Sequence, residues 1–162
     1  MNVGVIESAK RGTVLSCCIS VKKGTRKVPV DSIEVCVGEG IKGDAHAGNW
    51  HRQVSLLGNE SVDTMREKGA QLHPGDFAEN ILTSGLALRE LPVGTVLAIG
   101  DTLLGVTQIG KVCHHDCEIR KLVGTCVMPT EGIFTVVLRG GIIKPGDSIC
   151  VVDAKELLHE TN

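Results

Sequence analysis

The sequence predicts a mainly β domain: a closed or partly closed β-barrel carrying two short helices. Three observations carry this reading. Twenty glycines and five prolines are spread along the 162 residues, cutting the chain into short segments bounded by turn formers. Those segments alternate apolar and polar side chains, as in 32–37, where Ile33, Val35 and Val37 share one face. Many short strands in one unit are best accommodated by closure, which removes exposed sheet edges. With 42% apolar and 22% charged residues, the chain can bury a core and is not a disordered segment. We read 1–153 as one domain and 154–162 as a polar tail that frays.

The elements follow in order. After 32–37, a second short strand covers 53–57. Asn59 then caps a helix over 59–68 with Glu60 and Asp63 early, Val62 and Met65 on its apolar stripe, and Arg66, Lys68 and Gly69 at its end, the arrangement favoured by the helix dipole and a C-terminal glycine. Segments 95–99 and 102–107 flank Gly100-Asp101 and form a hairpin. Asp116 caps a second helix over 116–123, ending at Gly124. The strands 133–138 and 148–152, with Gly140-Gly141, Ile142-Ile143 and the turn Lys144-Pro145-Gly146-Asp147 between them, complete the series.

Composition removes several functions. A net charge of −2 offers no general attraction for a phosphate backbone, and Trp50, Phe77 and Phe134, the only aromatics, leave little material for base stacking, so nucleic acid is not the partner. No apolar run reaches the ~18 residues of a membrane span. A charge at Glu7 within an otherwise short apolar start does not read as a secretory leader. The seven cysteines, at 17, 18, 36, 113, 117, 126 and 150, are an odd number that fits reduced thiols in the cytoplasm better than a disulfide framework.

The densest chemistry lies in 110–117, where Lys111, Cys113, His114, His115, Asp116 and Cys117 follow a strand and open a helix. Cys117 falls in a first helical turn, and Cys113 sits beside Lys111 and two imidazoles; both settings favour a thiolate, so both residues are candidate nucleophiles. Cys113, His114 or His115, Cys117 and Cys126 can also supply a tetrahedral zinc set. Cys36 and Cys150 sit in strand patterns as packing residues, while the adjacent Cys17 and Cys18 point to opposite faces. A second candidate segment, 40–54, places Asp44, His46, His51 and Arg52 among glycines, a loop suited to an anionic polar ligand or, more plainly, to tight turns with Arg52 paired to Asp44. Lys22, Lys23, Arg26 and Lys27 form a basic run, either a solvated loop or a phosphate-capturing one.

The order of these motifs resembles the MOSC domain family, named for the C-terminal domain of molybdenum-cofactor sulfurases. The carrying residues are Gly43-Asp44-Ala45-His46-Ala47-Gly48 with Arg52-Gln53-Val54; Pro74-Gly75-Asp76-Phe77-Ala78-Glu79-Asn80; Leu91-Pro92-Val93-Gly94; Cys113; and Leu138-Arg139-Gly140-Gly141 with Gly146-Asp147. The match looks like a small stand-alone bacterial member. The resemblance implies a barrel-like fold, a role in molybdenum-cofactor metabolism, and a cysteine, here Cys113, that carries sulfur or ligates molybdenum. Where the family commonly leads into this cysteine with Arg-Pro, this chain has Lys111-Val112.

Two functions follow. In the first, the chain binds molybdopterin or the molybdenum cofactor through Asp44, His46, Arg52, Asn80, Lys23 and Arg26 and handles sulfur with Cys113, with Cys117 as second thiol; its partners are a sulfur donor or a molybdoenzyme. In the second, it is a non-catalytic module that stores or delivers the cofactor, and the Cys/His cluster holds structural zinc. The readings differ in whether the chain is a sulfur transferase at all. No lysine is assignable to pyridoxal phosphate.

Overall fold

A computed structural model of the chain describes residues 10–110 and 131–152. Among the described residues the strands are β1 (Arg11–Ile19), β2 (Val28–Val30), β3 (Ile33–Cys36), β4 (Gly40–Ile41), β5 (Val54–Gly58), β6 (Ile81–Ser84), β7 (Val96–Ile99), β8 (Thr102–Ile109), β9 (Ile133–Arg139), β10 (Gly141–Ile143) and β11 (Ser148–Val152), with an α-helix, α1 (Asn59–Arg66), and a 3-10 turn, Leu88–Glu90. Seven strands run in the order β11-β7-β8-β9-β5-β6-β1, and the barrel closes where β1 pairs with β11, Arg11 opposite Cys150 and Thr13 opposite Ser148. β2, which carries Pro29, extends β1 at the open edge, where a missing ladder donor costs least. A small sheet, β10-β3-β4, packs beside the barrel.

The expected hairpin is present: Ile99 faces Thr102 across Gly100-Asp101. The alternation expected over 32–37 ends one residue early. Ile33 and Val35 are buried, but Val37 is 62% exposed, because the chain turns after Cys36 to start β4. α1 matches the expected helix at 59–68, yet Gly58 takes the N-cap position and makes no side-chain cap bond; Asn59 instead accepts from Arg66 within the helix. The helix expected over 116–123 lies outside the described residues.

β5 is buried along its whole length, which period-two alternation does not anticipate. Its two faces serve two cores. Leu56 joins Ile81, Leu104 and Ile133 inside the barrel, while Leu57 joins Val62, Leu72, Phe77, Leu82 and Phe134 outside it, beneath α1. Each such side chain contributes about 1.5–3 kcal/mol on leaving water, so α1 and the 70–78 segment act as a second layer on this wall. β5 and β6 are also parallel, the remaining barrel pairs being antiparallel, and α1 supplies part of the crossover between them.

The 74–80 motif is a support for the basic segment. The Gly75 carbonyl accepts from the Lys27 amide at 2.9 Å, and a Cβ on Gly75 would stand 2.0 Å from the Lys27 carbonyl oxygen at a φ of +88°. Only glycine tolerates both conditions. Gly75→Ala should therefore lose about 2–5 kcal/mol by strain plus overpacking. Gly146→Ala, at a φ of +96° with nothing within 4 Å, should lose about 1–2 kcal/mol from backbone strain alone. Urea midpoints of the two variants, read against the parent, check the order.

Candidate functional site

The site is built where three segments meet: the basic loop after β1, the turn-rich stretch between β4 and β5, and the ends of β8 and β9. Trp50 is its centre. Its indole Nε1 donates to the His46 carbonyl at 2.8 Å, and the His46 ring lies parallel to it with centroids 6.3 Å apart. Lys23 Nζ stands 4.8 Å from the indole centroid and Arg52 Cζ 4.7 Å from it. Arg52 also lies 5.6 Å from the Phe134 ring, so the second core supplies one of its supports. Cations placed this way gain about 0.5–2 kcal/mol each from the ring face, which holds them without neutralising them.

The expected alternative pairing of Arg52 with Asp44 does not occur. Asp44 is paired with Lys27 instead, Nζ to Oδ1 at 2.7 Å, with both side chains at 0% exposure. Among the described residues neither Lys23 nor Arg52 has a carboxylate partner, and Arg52 Nε is buried with no hydrogen bond. An arginine whose buried donor is left unmatched by the described residues suits an anionic acceptor supplied by a ligand. His51 Nε2 lies 2.8 Å from Gln108 Oε1, and the Thr107 hydroxyl donates to the His51 carbonyl, so the loop is fastened to the end of β8.

Other candidates are placed elsewhere. Asn80 is fully buried, and its amide is spent within the fold: Oδ1 accepts from the Ser55 amide at 3.0 Å and Nδ2 donates to the Cys18 carbonyl at 3.0 Å, joining β5 to β1. Arg26 faces Asp76 at 3.8 Å, on the 74–79 turn. Cys113, His114, Cys117 and Cys126 lie outside the described residues. Among the described residues no three His, Cys, Asp or Glu side chains converge as a metal site.

Of the described thiols, Cys17 and Cys18 are fully buried, and burial pushes both up to about 12, helped by Asp147 at Cys17 and by Glu79 at Cys18. They are protonated and unreactive at neutral pH. The expectation that Cys36 and Cys150 are packed residues needs correction: both are half-buried, because each sits in a strand on the side away from the barrel core. Cys36 Sγ lies 4.0 Å from Glu34 Oε2.

Trp50 and Gln108 were not among the residues expected at the site, and Lys27, expected as part of a solvated or phosphate-capturing basic run, is sealed in the interior against Asp44. Lys27 reads as one more cation of the basic run, and no local signal sets it apart from Lys22, Lys23 and Arg26. Trp50 stands out only as the one tryptophan of the chain.

Residues 43–150 match the family model of the MOSC domain, so the chain belongs to the MOSC domain family, which is generally associated with molybdenum-cofactor proteins. Among solved structures the chain resembles the YuaD protein from Bacillus subtilis, with a TM-score of 0.73 and 20% identity over 87% of this chain and 95% of that one. It also resembles YiiM from Escherichia coli, at TM-score 0.63 and 20% identity over 88% and 70% of the two chains, and YiiM from Geobacillus stearothermophilus, at 0.62 and 19% over 88% and 73%. At these identities the likeness is one of fold. No protein in the curated set matches the sequence. Among the described residues, no helix is long and apolar enough to cross a membrane.

Below the basic loop, Glu79 is buried and accepts from the Gly75 and Phe77 amides at 2.7 and 3.1 Å. Burial outweighs these bonds and raises its carboxyl from 4.5 to about 7. The folded chain thus keeps a proton that the unfolded chain has released, and this contribution to stability, complete below pH 4.5, is lost as pH rises to about 7, by on the order of 3 kcal/mol. The difference in unfolding free energy between the parent and Glu79→Gln, measured in urea from pH 4.5 to pH 8, should change across that window; parallel profiles would refute the assignment.

Proposed function

We propose that this MOSC domain protein works in the cytoplasm, binds molybdopterin or the molybdenum cofactor at the Trp50 mouth, and handles sulfur through Cys113. The observation that carries this is the pair of cations, Lys23 and Arg52, held within 5 Å of one indole centroid and lacking carboxylate partners among the described residues. In a chain of net charge −2 they form a local positive field, suited to the phosphate of a pterin cofactor. The aromatic and imidazole faces beside them suit its flat ring. The molybdenum form of the cofactor, if bound there, would supply a metal centre able to accept sulfur.

Support for Cys113 comes from its position in the chain. The mouth is fastened to Thr107 and Gln108 near the end of β8, and the Gly110 amide donates to the Gly132 carbonyl at 2.7 Å. Cys113 follows Gly110 by three residues, a separation that the covalent chain spans in at most about 11 Å. In the proposed reaction the Cys113 thiolate attacks the outer sulfur of a donor persulfide. A new S–S bond forms at Cys113, the donor S–S bond breaks, and the donor leaves as a thiolate, with no net oxidation. Attack by Cys117 on the Cys113 sulfur then releases hydrosulfide to the acceptor and leaves a disulfide, which a cellular thiol reduces.

Two measurements test this reading. Removing both cations, Arg52→Ala with Lys23→Ala, should weaken pterin binding by at least about tenfold, since charge-assisted hydrogen bonds are worth about 1.5–3 kcal/mol; an unchanged dissociation constant by fluorescence titration counts decisively against the mouth. Limited iodoacetamide labelling at neutral pH, followed by peptide mapping, should modify Cys113 first and leave Cys17 and Cys18 untouched until unfolding. Earlier labelling of Cys36 or Cys150 overturns the sulfur role. Protection of Cys113 that is lifted only by a chelator transfers it to zinc and to the delivery module.

A further inference from the structure

The buried ammonium of Lys27 determines more than an ion pair. Its Nζ has three protons and meets three acceptors: Asp44 Oδ1 at 2.7 Å, Ser20 Oγ at 3.1 Å and His46 Nδ1 at 3.0 Å. The role of each partner follows from its other bonds. Ser20 Oγ donates its own proton to the Lys22 carbonyl at 2.9 Å, so toward Lys27 it can only accept. Asp44 accepts from the Ser20 amide at Oδ1 and from the His46 amide at Oδ2, both at 3.1 Å, which is the pattern of an ionised carboxylate. A neutral lysine would leave that buried negative charge uncompensated, at a cost of several kcal/mol. With Lys27 charged, all three of its protons are donated, and His46 Nδ1 must accept one of them.

We infer that Lys27 and Asp44 form a buried positioning pair that locks His46 as a neutral imidazole with its proton on Nε2. The ring is thereby a hydrogen-bond donor at Nε2 and not a metal ligand. Nδ1 is occupied by an ammonium proton, and Nε2 would have to lose its proton before it could coordinate a metal. The backbone of His46 is fixed on both sides. The His46 amide is held by Asp44 Oδ2, and its carbonyl by the Trp50 indole, so the imidazole stands parallel to Trp50, beside Arg52 and Lys23. The choice of ligand, an oxyanion such as a phosphate, rests on the Trp50 mouth being the binding site; the protonation state of His46 does not.

Long-range proton–nitrogen correlation spectra of the full-length, 15N-labelled protein at neutral pH test the inference, with the His46 signals identified by their loss in His46→Gln. The expected result is the single neutral pattern of the Nε2–H tautomer. A dominant Nδ1–H pattern, or a doubly protonated ring, overturns it. Asp44→Asn, which keeps shape and removes the charge, should release the lock, so that His46 shows averaged tautomers; a folded Asp44→Asn protein with an unchanged His46 pattern also overturns it. Since the parent pattern is read without Asp44→Asn, failure of that variant to fold leaves the test intact. Titration with inorganic phosphate should move the His46 Nε2 signal. The expected tautomer with no phosphate response would refute an oxyanion at the mouth while the Lys27–Asp44 lock stands.

Discussion

Lys27 is the residue through which the segments of this molecule are joined. Its backbone amide is held by Gly75, and its ammonium binds Asp44, Ser20 and His46. Three stretches far apart in sequence, 20–27, 44–50 and 74–80, therefore meet at one residue, whose charge is buried between the first two. Taking two ions out of water costs several kcal/mol apiece, and only close geometry with every donor matched offsets this. Here every proton of the ammonium is matched. Misplacing any one of the three segments would strand a charge in the interior, a far larger penalty than the loss of a surface contact.

That constraint explains why the 74–80 motif contains residues that read as chemistry but are placed as structure. Gly75 permits the close approach of Lys27, Glu79 caps the turn by accepting two amides, and Asn80 bridges β1 and β5. Phe77, in the outer core with Phe134, ties the turn to the wall on which Arg52 rests. Polar side chains inside a protein must find partners, and in this motif they find them in the backbone. The mouth differs in kind. Lys23 and Arg52 are held by aromatic faces, which orient a cation without neutralising it, and among the described residues neither has a carboxylate partner. Structural charge and available charge thus lie side by side, separated by whether a carboxylate has been provided.

The barrel and most of its strands were legible in the sequence because turn residues and period-two alternation are local signals. The 95–107 hairpin, the 133–152 series and the helix after β5 follow from neighbours a few residues apart, and the order of the MOSC motifs is itself a linear property. The strand β5 shows where local reading stops: with both faces buried it loses alternation, since its outer face is covered by α1 and the 70–78 segment. Val37 and the half-buried Cys36 and Cys150 depart from expectation for the same reason, as their surroundings are set by what packs on the outside of the sheet.

The sequence alone determined the fold class and the family, because these rest on composition, periodicity and motif order along the chain. Tertiary structure alone decided which charges are spent and which remain available. Lys27 and Lys23 are four residues apart in one basic run, yet one is sealed against Asp44 and the other lies over Trp50. Nothing local separates them, since the energy of a charge depends on solvent and on partners brought from 17 and 27 residues away along the chain, and those distances exist only once the barrel has closed.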